Sequence, residues 1–170
     1  MTTNATKDRK RILFLCTGNS ARSILAEVLA NDPVVGGGPF KAYSAGSKPK
    51  AHPHPLALET LRLNGLATEG LRSKSWDEFA APDAPPLDFI FTVCDSAAGE
   101  QCPYWPGHPM TAHWGVEDPP AAGDETAQRK AFQKAFTILK GRISRFAALP
   151  FDALTPEQIA QQAEQIGIEF

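Results

Sequence analysis

Residues 12–29 constrain the fold of this chain most strongly, because a short apolar run, ILFL, leads through eight small and polar residues into the helical pattern ILAEVL. An apolar run of this length predicts a buried strand, which here turns directly into a helix. The first N–H groups of such a helix lack intrahelical acceptors and face the turn, so the turn can bind an anion. We therefore expect a strand, an anion-binding loop and a helix in this order.

Residues 16–23 form this loop, with the sequence CTGNSARS. Arg22 follows Cys16 with C-x5-R spacing, and its guanidinium can bind two oxygens of a tetrahedral oxyanion above the Cys16 sulfur. Gly18 is expected to adopt φ > 0 and so to allow a tight turn. The helix N-terminus, the loop amides and Arg22 favour the thiolate form of Cys16. A cysteine at a strand end can instead be a small core residue, but the combination with Gly18 and Arg22 favours a nucleophile.

The rest of the chain continues the alternation of strands and helices. We predict strands at residues 40–46, 89–94 and 110–116, and helices at residues 54–65, 125–149 and 156–165. This order predicts an α/β fold with a four-stranded parallel sheet and helices on both faces. Apolar residues at helical spacing predict that the helix at 125–149 packs on the core, with its charged residues forming a solvated face. Residues 155–158, TPEQ, have the form of a capping box.

Length and composition bound the class of protein. A chain of 170 residues fits one catalytic domain, residues 11–150, with a flexible N-terminal tail at residues 1–10 and a C-terminal helical extension at residues 151–170. A net charge of −2 offers no basic surface for nucleic acid. No apolar run approaches the roughly 20 residues that cross a membrane, and from its polar N-terminus we expect no signal peptide. We expect a cytoplasmic monomer with no nucleic-acid or membrane partner.

Asp118 lies in a proline-rich loop after the fourth predicted strand. Ligands of parallel sheets bind at the carboxyl ends of the strands, so Cys16, Cys94 and Asp118 are expected to meet at one edge. The carboxyl of Asp118 can donate the proton that a leaving oxygen requires. The alternative role for Asp118 is to cap the following turn.

Cys94 and Cys102 are separated by seven residues, which is not the C-x2-C spacing of a zinc site. In a straight helix their Cα atoms would be about 12 Å apart, beyond the roughly 7 Å limit of a disulfide. The pair can therefore bond only if the segment unwinds, which predicts a redox-driven flap. The alternative is two unrelated thiols. The four histidines form no metal-ligand pattern, and we expect no metal ligand among them.

The loop at residues 16–23, together with Asp118-Pro119, resembles the low-molecular-weight protein tyrosine phosphatase superfamily. Its arsenate reductase branch is indicated by Thr92-Val93-Cys94, Cys102-Pro103 and His113-Trp114-Gly115. The resemblance covers about residues 11 to 147 and implies the three-layer fold of that superfamily.

By this resemblance, Cys16 attacks arsenate, Arg22 and the loop amides hold its oxygens, Ser23 donates a hydrogen bond to the Cys16 sulfur, and Asp118 protonates the leaving hydroxide. Cys94 then attacks Cys16 and releases arsenite, and Cys102 attacks Cys94. The resemblance implies no tightly bound cofactor but an external thiol reductant, thioredoxin or glutaredoxin. The oxyanion-binding residues that it implies are Thr17, Gly18, Asn19, Ser20, Ala21 and Arg22.

Some relatives hold a potassium ion behind this loop, and Asn19, Glu27 and Asp77 correspond to its ligands. Two other functions remain open from the sequence. One is a phosphatase for phosphotyrosine or small phosphomonoesters, which would use the same Cys16, Arg22 and Asp118 but leave Cys94 and Cys102 idle. The other is a non-catalytic oxyanion-binding or redox-sensing module.

Overall fold

The computed structural model describes residues 9–94 and 109–169. Four parallel strands form one sheet in the order β2-β1-β3-β4. The strands are β1 (Lys10–Cys16), β2 (Phe40–Gly46), β3 (Phe89–Thr92) and β4 (Met110–His113). The predicted four-stranded parallel α/β sheet is confirmed. Residues 1–8 and 95–108, which include most of the predicted tail, the flap and Cys102, lie outside the described residues.

Five α-helices and two 3-10 turns connect or follow the strands in the described part of the chain. They are α1 (Arg22–Asn31), α2 (Pro55–Leu63), α3 (Asp77–Ala80), α4 (Glu125–Ala147), α5 (Pro156–Glu169), and 3-10 turns at Pro119–Ala121 and Phe151–Ala153. The capping box forms, since Thr155 N donates to Gln158 Oε1 at 2.9 Å and Gln158 N donates to Thr155 Oγ1 at 3.1 Å. Among the described residues, no helix is both long and apolar enough to cross a bilayer.

Several predicted boundaries are wrong by a few residues. The strands β3 and β4 end earlier than predicted, although backbone hydrogen bonds continue past them, from Trp114 N to Thr92 O and from Val116 N to Val93 O. The helix α5 runs four residues further than predicted. The helix α3, only four residues long, is too short to show a periodic pattern in the sequence.

The sheet has a core on each face. Alternate residues of β1 point to opposite sides, so Ile12 and Phe14 join the larger core with α1, α2, α4 and α5, whereas Leu13 and Leu15 join a smaller core with Phe79 of α3. Burial on both faces explains the continuous apolar run of β1. The three-layer arrangement fixes the end of β1, where the loop begins.

One charged residue of α4 contradicts the expectation of a solvated face. Arg142 is only 4% exposed, and its guanidinium donates to Gly115 O at 3.2 Å and to Gly167 O at 3.3 Å. Burial lowers the pKa of Arg142. Both carbonyls lie outside α4, so Arg142 joins the segment before Asp118 to the C-terminal helix α5.

The C-terminal helix α5 packs on the same core as the rest of the chain. Its apolar residues Ile159, Ala163 and Ile166 are buried there, and the indole of Trp114 donates to Ala163 O at 2.8 Å. Trp114 also stacks on Phe91, with ring centroids 4.0 Å apart. The residues just after β4 are thus held from one side by α5.

Candidate active site

In the loop between β1 and α1, backbone carbonyl groups point away from the space that the loop encloses and accept hydrogen bonds from the segment after β2. Three backbone N–H groups after β2 donate to loop carbonyls: Lys48 to Thr17 (2.9 Å), Lys50 to Gly18 (2.9 Å) and His54 to Ser20 (2.8 Å). In a trans peptide the next N–H points opposite to the carbonyl, so the amides of the loop face the inner side. The first turn of α1 has no acidic residue and no side-chain cap. The loop therefore offers an uncompensated set of N–H donors to an anion.

The left-handed residue of this loop is Asn19, with φ of 45°, and not Gly18. The expectation for Gly18 is wrong: a Cβ there would instead lie 3.3 Å from two carbons of the Lys50 side chain. Asparagine tolerates the left-handed region better than most residues. Asn19 is fully buried, and its backbone carbonyl accepts from Ser73 Oγ at 2.6 Å. The sequence alone gave no signal for this contact, because Ser73 is far along the chain.

The Cys16 sulfur lies at the end of a buried chain of hydrogen bonds. Asn19 Nδ2 donates to Ser23 Oγ at 2.9 Å, and Ser23 Oγ lies 2.9 Å from Cys16 Sγ. Either atom of this contact can be the donor, but a Cys16 thiolate can only accept, so Ser23 donates to the sulfur whenever Cys16 is ionised. This contact agrees with the donor role that the resemblance implies for Ser23.

Arg22 and Asp118 meet above the loop. The guanidinium of Arg22 donates to Val116 O at 2.9 Å through Nη1, and its Nη2 lies 3.2 Å from Asp118 Oδ1. The Nε of Arg22 is buried and has no hydrogen-bond partner in the protein, so a bound oxyanion can accept from it. Asp118 is 49% exposed and makes no side-chain cap to the 3-10 turn Pro119–Ala121. The alternative role of Asp118 as a cap is thus wrong in this structure.

Cys94, directly after β3, lies beside the loop. Its buried Sγ is 3.7 Å from Thr17 Oγ1. Two cavities meet here: one of about 880 Å³ is lined by Cys16 and the loop, and one of about 580 Å³ is lined by Cys94 and His113. Arg22 and Asp118 line both cavities. The structure thus brings Cys16, Cys94 and Asp118 to one edge of the sheet, whereas the position of Cys102 is not described.

Lys48 and Lys50 give the loop cavity a basic rim, and His54 also lines it. Burial and the charge of Lys50 lower the pKa of His54, whereas Asp118 raises it. The Nδ1 atom of His54 accepts from Leu56 N at 3.0 Å, which caps α2 and requires an unprotonated Nδ1. Among the described residues, no Phe, Tyr or Trp lines this cavity. The positive charge of the two lysines suits an anion in this cavity.

The residues that the resemblance implies for potassium do not form such a site here. Asn19 Oδ1 accepts from the backbone N of Lys74 at 2.8 Å, and Glu27 Oε1 lies 3.8 Å from Lys74 Nζ. Asp77 is exposed at the start of α3. In the described part of the chain, no cluster of three or more His, Cys, Asp or Glu could hold a metal ion. The Lys74 ammonium therefore lies beside the Glu27 carboxylate that a potassium ion would need as a ligand.

Known proteins are similar to this chain in sequence and in fold. An arsenate reductase of Bacillus licheniformis is 37% identical over 141 residues, which cover 82% of this chain and 96% of the relative. A solved arsenate reductase in the phosphate binding state matches with a TM-score of 0.66 and 26% identity, covering 82% of this chain and 97% of that one. A thioredoxin-dependent arsenate reductase of Corynebacterium glutamicum matches with a TM-score of 0.57 and 26% identity, covering 82% of this chain and 63% of that one.

The family model named low molecular weight phosphotyrosine protein phosphatase matches residues 11–164. This range contains the loop, Asp118 and both Cys94 and Cys102. The chain belongs to the low molecular weight phosphotyrosine protein phosphatase family.

Proposed function

We propose that this chain reduces arsenate to arsenite, with Cys16 as the nucleophile and Cys94 and Cys102 as the thiols that supply the electrons. The observation that carries the proposal is the buried Cys94 sulfur 3.7 Å from Thr17 of the oxyanion loop. A phosphatase hydrolyses its covalent intermediate with water and needs no second thiol. The curated relatives, which are named arsenate reductases, support this choice.

In the first step, the Cys16 thiolate attacks the arsenic atom of arsenate. A sulfur–arsenic bond forms and an arsenic–oxygen bond breaks, and the oxygen leaves as water after taking a proton from Asp118. Arg22 and the loop amides bind the remaining oxygens, and Ser23 donates to the sulfur before it attacks. Arsenic is still in the +5 state after this step.

In the second step, the Cys94 thiolate attacks the sulfur of Cys16. A disulfide forms between the two sulfurs, the sulfur–arsenic bond breaks, and its electron pair stays on arsenic, which leaves as arsenite in the +3 state. The short distance between Cys94 and the loop is consistent with this attack. The two electrons gained by arsenic come from the two thiolates.

In the third step, the Cys102 thiolate attacks Cys94 and releases the Cys16 thiolate. The Cys94–Cys102 disulfide is then reduced by an external dithiol protein, which we propose to be thioredoxin, as in the thioredoxin-dependent relative. The cycle needs no tightly bound cofactor. A cytoplasmic location suits it, because that compartment keeps thiols reduced.

A single-turnover experiment without reductant tests the whole relay. Reduced enzyme is mixed with arsenate, arsenite is counted, and disulfides are mapped by mass spectrometry. The wild type and Cys102→Ser should each release one arsenite per enzyme, with a Cys94–Cys102 and a Cys16–Cys94 disulfide respectively. Cys94→Ser should release none.

Hydrolysis of p-nitrophenyl phosphate by these three proteins and by Cys16→Ser is the control, because it needs only Cys16, Arg22 and Asp118. It should persist in Cys94→Ser and Cys102→Ser and disappear in Cys16→Ser. Arsenite release by Cys94→Ser would exclude the relay. Phosphatase activity in a wild type that never releases arsenite would assign the chain to the phosphatases instead.

A further inference from the structure

The segment of residues 72–76 supports the oxyanion loop from behind, and Lys74 lies at its centre. The side chain of Lys74 is only 9% exposed. Its Nζ donates to Arg72 O at 2.9 Å and lies 3.8 Å from Glu27 Oε1. Glu27 belongs to α1 and also accepts from Ser44 Oγ of β2. The ammonium therefore lies between the segment, the helix and the sheet.

The charges around this ammonium do not all favour it. Burial lowers the pKa of Lys74, and the charge of Arg72 lowers it further, whereas Glu27 and Glu78 raise it. Burying a charge is costly unless an opposite charge compensates it. Glu27, whose Oε1 lies 3.8 Å from Lys74 Nζ, supplies this opposite charge.

A continuous set of contacts connects Lys74 to the reacting sulfur. The backbone N of Lys74 donates to Asn19 Oδ1 at 2.8 Å, and Asn19 Nδ2 donates to Ser23 Oγ at 2.9 Å. Ser23 then contacts Cys16 Sγ. Asn19 is held in its left-handed conformation by this segment, because Ser73 Oγ also binds its carbonyl. Displacement of residues 72–76 would therefore displace the donor to the nucleophile.

We propose that the Lys74 ammonium is a built-in cation that compensates Glu27 and holds the oxyanion loop in its binding form, so that the protein requires no alkali metal ion. Lys74 acts as a positioning residue and does not touch the substrate. Potassium and an ammonium ion are similar in size and both bind oxygen atoms. Removal of the ammonium leaves Glu27 and the Arg72 carbonyl as oxygen ligands, so the same place should then accept potassium. The proposal relies on the oxyanion-binding loop of the proposed function but not on the thiol relay.

The test substitutes Lys74 by Met, which keeps the backbone N–H bond to Asn19 and removes only the charge. Wild type, Lys74→Met and the exposed-lysine control Lys140→Met are compared in potassium chloride and choline chloride at equal ionic strength. In Lys74→Met, potassium should raise the melting temperature by about 3 °C or more, as expected for an ion that binds only the folded state. The wild type and Lys140→Met should have the same melting temperature in potassium chloride and in choline chloride.

Arsenate turnover gives the second measurement. In choline, Lys74→Met should lose about 10- to 100-fold in kcat/KM, by analogy with residues that hold metal ligands in place, and potassium should restore part of it. Lys74→Arg keeps a cation and should not respond to potassium. The turnover of the double variant Lys74→Met with Glu27→Gln should also be the same in potassium and in choline, because this variant has no Glu27 carboxylate whose charge a potassium ion could compensate.

Equal stability and turnover of Lys74→Met in both salts would overturn the proposal, as would a wild type that itself needs potassium. If Lys74→Met folds only in potassium, the proposal is supported. If it is unfolded in both salts and the double variant is unfolded too, the proposal fails. A potassium-dependent melting temperature without any arsenite release would reject the proposed function while supporting this inference.

Discussion

The Nη2 atom of Arg22 lies 3.2 Å from Oδ1 of Asp118, so the guanidinium proposed to bind the oxyanion also contacts the candidate acid. Nη1 of the same guanidinium donates to Val116 O, and its Nε has no partner in the protein and can donate to a ligand. Binding of an anion and placement of the proton donor are thus coupled through one planar side chain.

Replacement of Asp118 by Asn should slow the first step. Because the variant has no proton for the leaving oxygen, kcat should fall by about 10²- to 10⁴-fold, the usual contribution of general acid catalysis. The affinity for sulfate, measured by calorimetry, should change little. Glu117→Gln is the matched control, since that neighbouring carboxylate is 95% exposed. A normal rate of adduct formation in Asp118→Asn would reassign the acid.

Replacement of Arg22 by Lys should weaken oxyanion binding although the charge is kept. A lysine cannot contact Val116 O, Asp118 and the anion in one plane. The loss of one or two hydrogen bonds to a charged group, at about 1.5 to 3 kcal/mol each, corresponds to at least roughly tenfold weaker binding. Isothermal titration with arsenate measures it. Unchanged affinity would mean that the loop amides alone bind the anion.

Replacement of Ser23 by Ala should lower the reactivity of Cys16. The variant removes the donor to the sulfur and leaves the buried Nδ2 of Asn19 without its acceptor, at a stability cost of about 1 to 3 kcal/mol. Alkylation of Cys16 by iodoacetamide, followed by peptide mass spectrometry, should be slower at neutral pH. Ser144→Ala, an exposed serine on α4, should alkylate at the wild-type rate.

Stability below neutral pH should depend on His54. Its pKa is lower in the folded protein than the unperturbed value of about 6.5, so the unfolded chain binds a proton more readily. The free energy of unfolding from this group is therefore complete above about pH 6.5 and decreases as the pH falls from there towards the folded pKa. His54→Asn keeps an acceptor for Leu56 N but cannot titrate. Urea unfolding between pH 5 and 8 should show a smaller decrease for His54→Asn, and equal slopes would contradict the role of His54.

Two helix glycines should respond oppositely to alanine. A Cβ at Gly141 of α4 would meet only the flexible end of Arg145 at 3.2 Å, so Gly141→Ala should stabilise the protein by about 0.5 to 1 kcal/mol. A Cβ at Gly167 of α5 would lie 2.6 Å from Trp114 Cδ1 and 2.9 Å from His113 O. Gly167→Ala should therefore cost about 1 to 3 kcal/mol, despite the better helix propensity. Urea denaturation measures both, and a gain at Gly167 would mean that α5 shifts easily.

Local patterns in the sequence were sufficient to predict the sheet and the loop. The apolar run of β1, the C-x5-R spacing and the capping box at Thr155 each involve only a few neighbouring residues. The structure contains the β1 strand and both hydrogen bonds of the capping box. Features that depend on distant contacts could not be predicted in this way. The left-handed Asn19 is held by Ser73, and the buried Arg142 pairs with carbonyls outside its own helix. An argument from helical periodicity predicts that such an arginine is exposed, because it uses the charge of the residue and has no information on hydrogen-bond partners from other elements.

Lys74 illustrates the same limit at the candidate site. Its sequence neighbours are polar and charged, which is typical of a surface loop, and only the fold brings it beside Glu27 of α1. The resemblance pointed to Asn19, Glu27 and Asp77 as ligands of an ion. Two of these three residues are engaged by Lys74 instead.

The contact at Gly46 has a consequence for protein engineering. A Cβ at this last residue of β2 would lie 2.4 Å from Thr17 O and 2.9 Å from Cys16 O, so the neighbouring strand must end in a residue without a side chain. Grafting residues 16–23 alone into another parallel sheet would therefore fail to reproduce the conformation of this loop wherever the adjacent strand has a residue larger than glycine at the position of Gly46. The smallest transferable unit is the loop together with the end of β2, two pieces that are separate in the chain but adjacent in space.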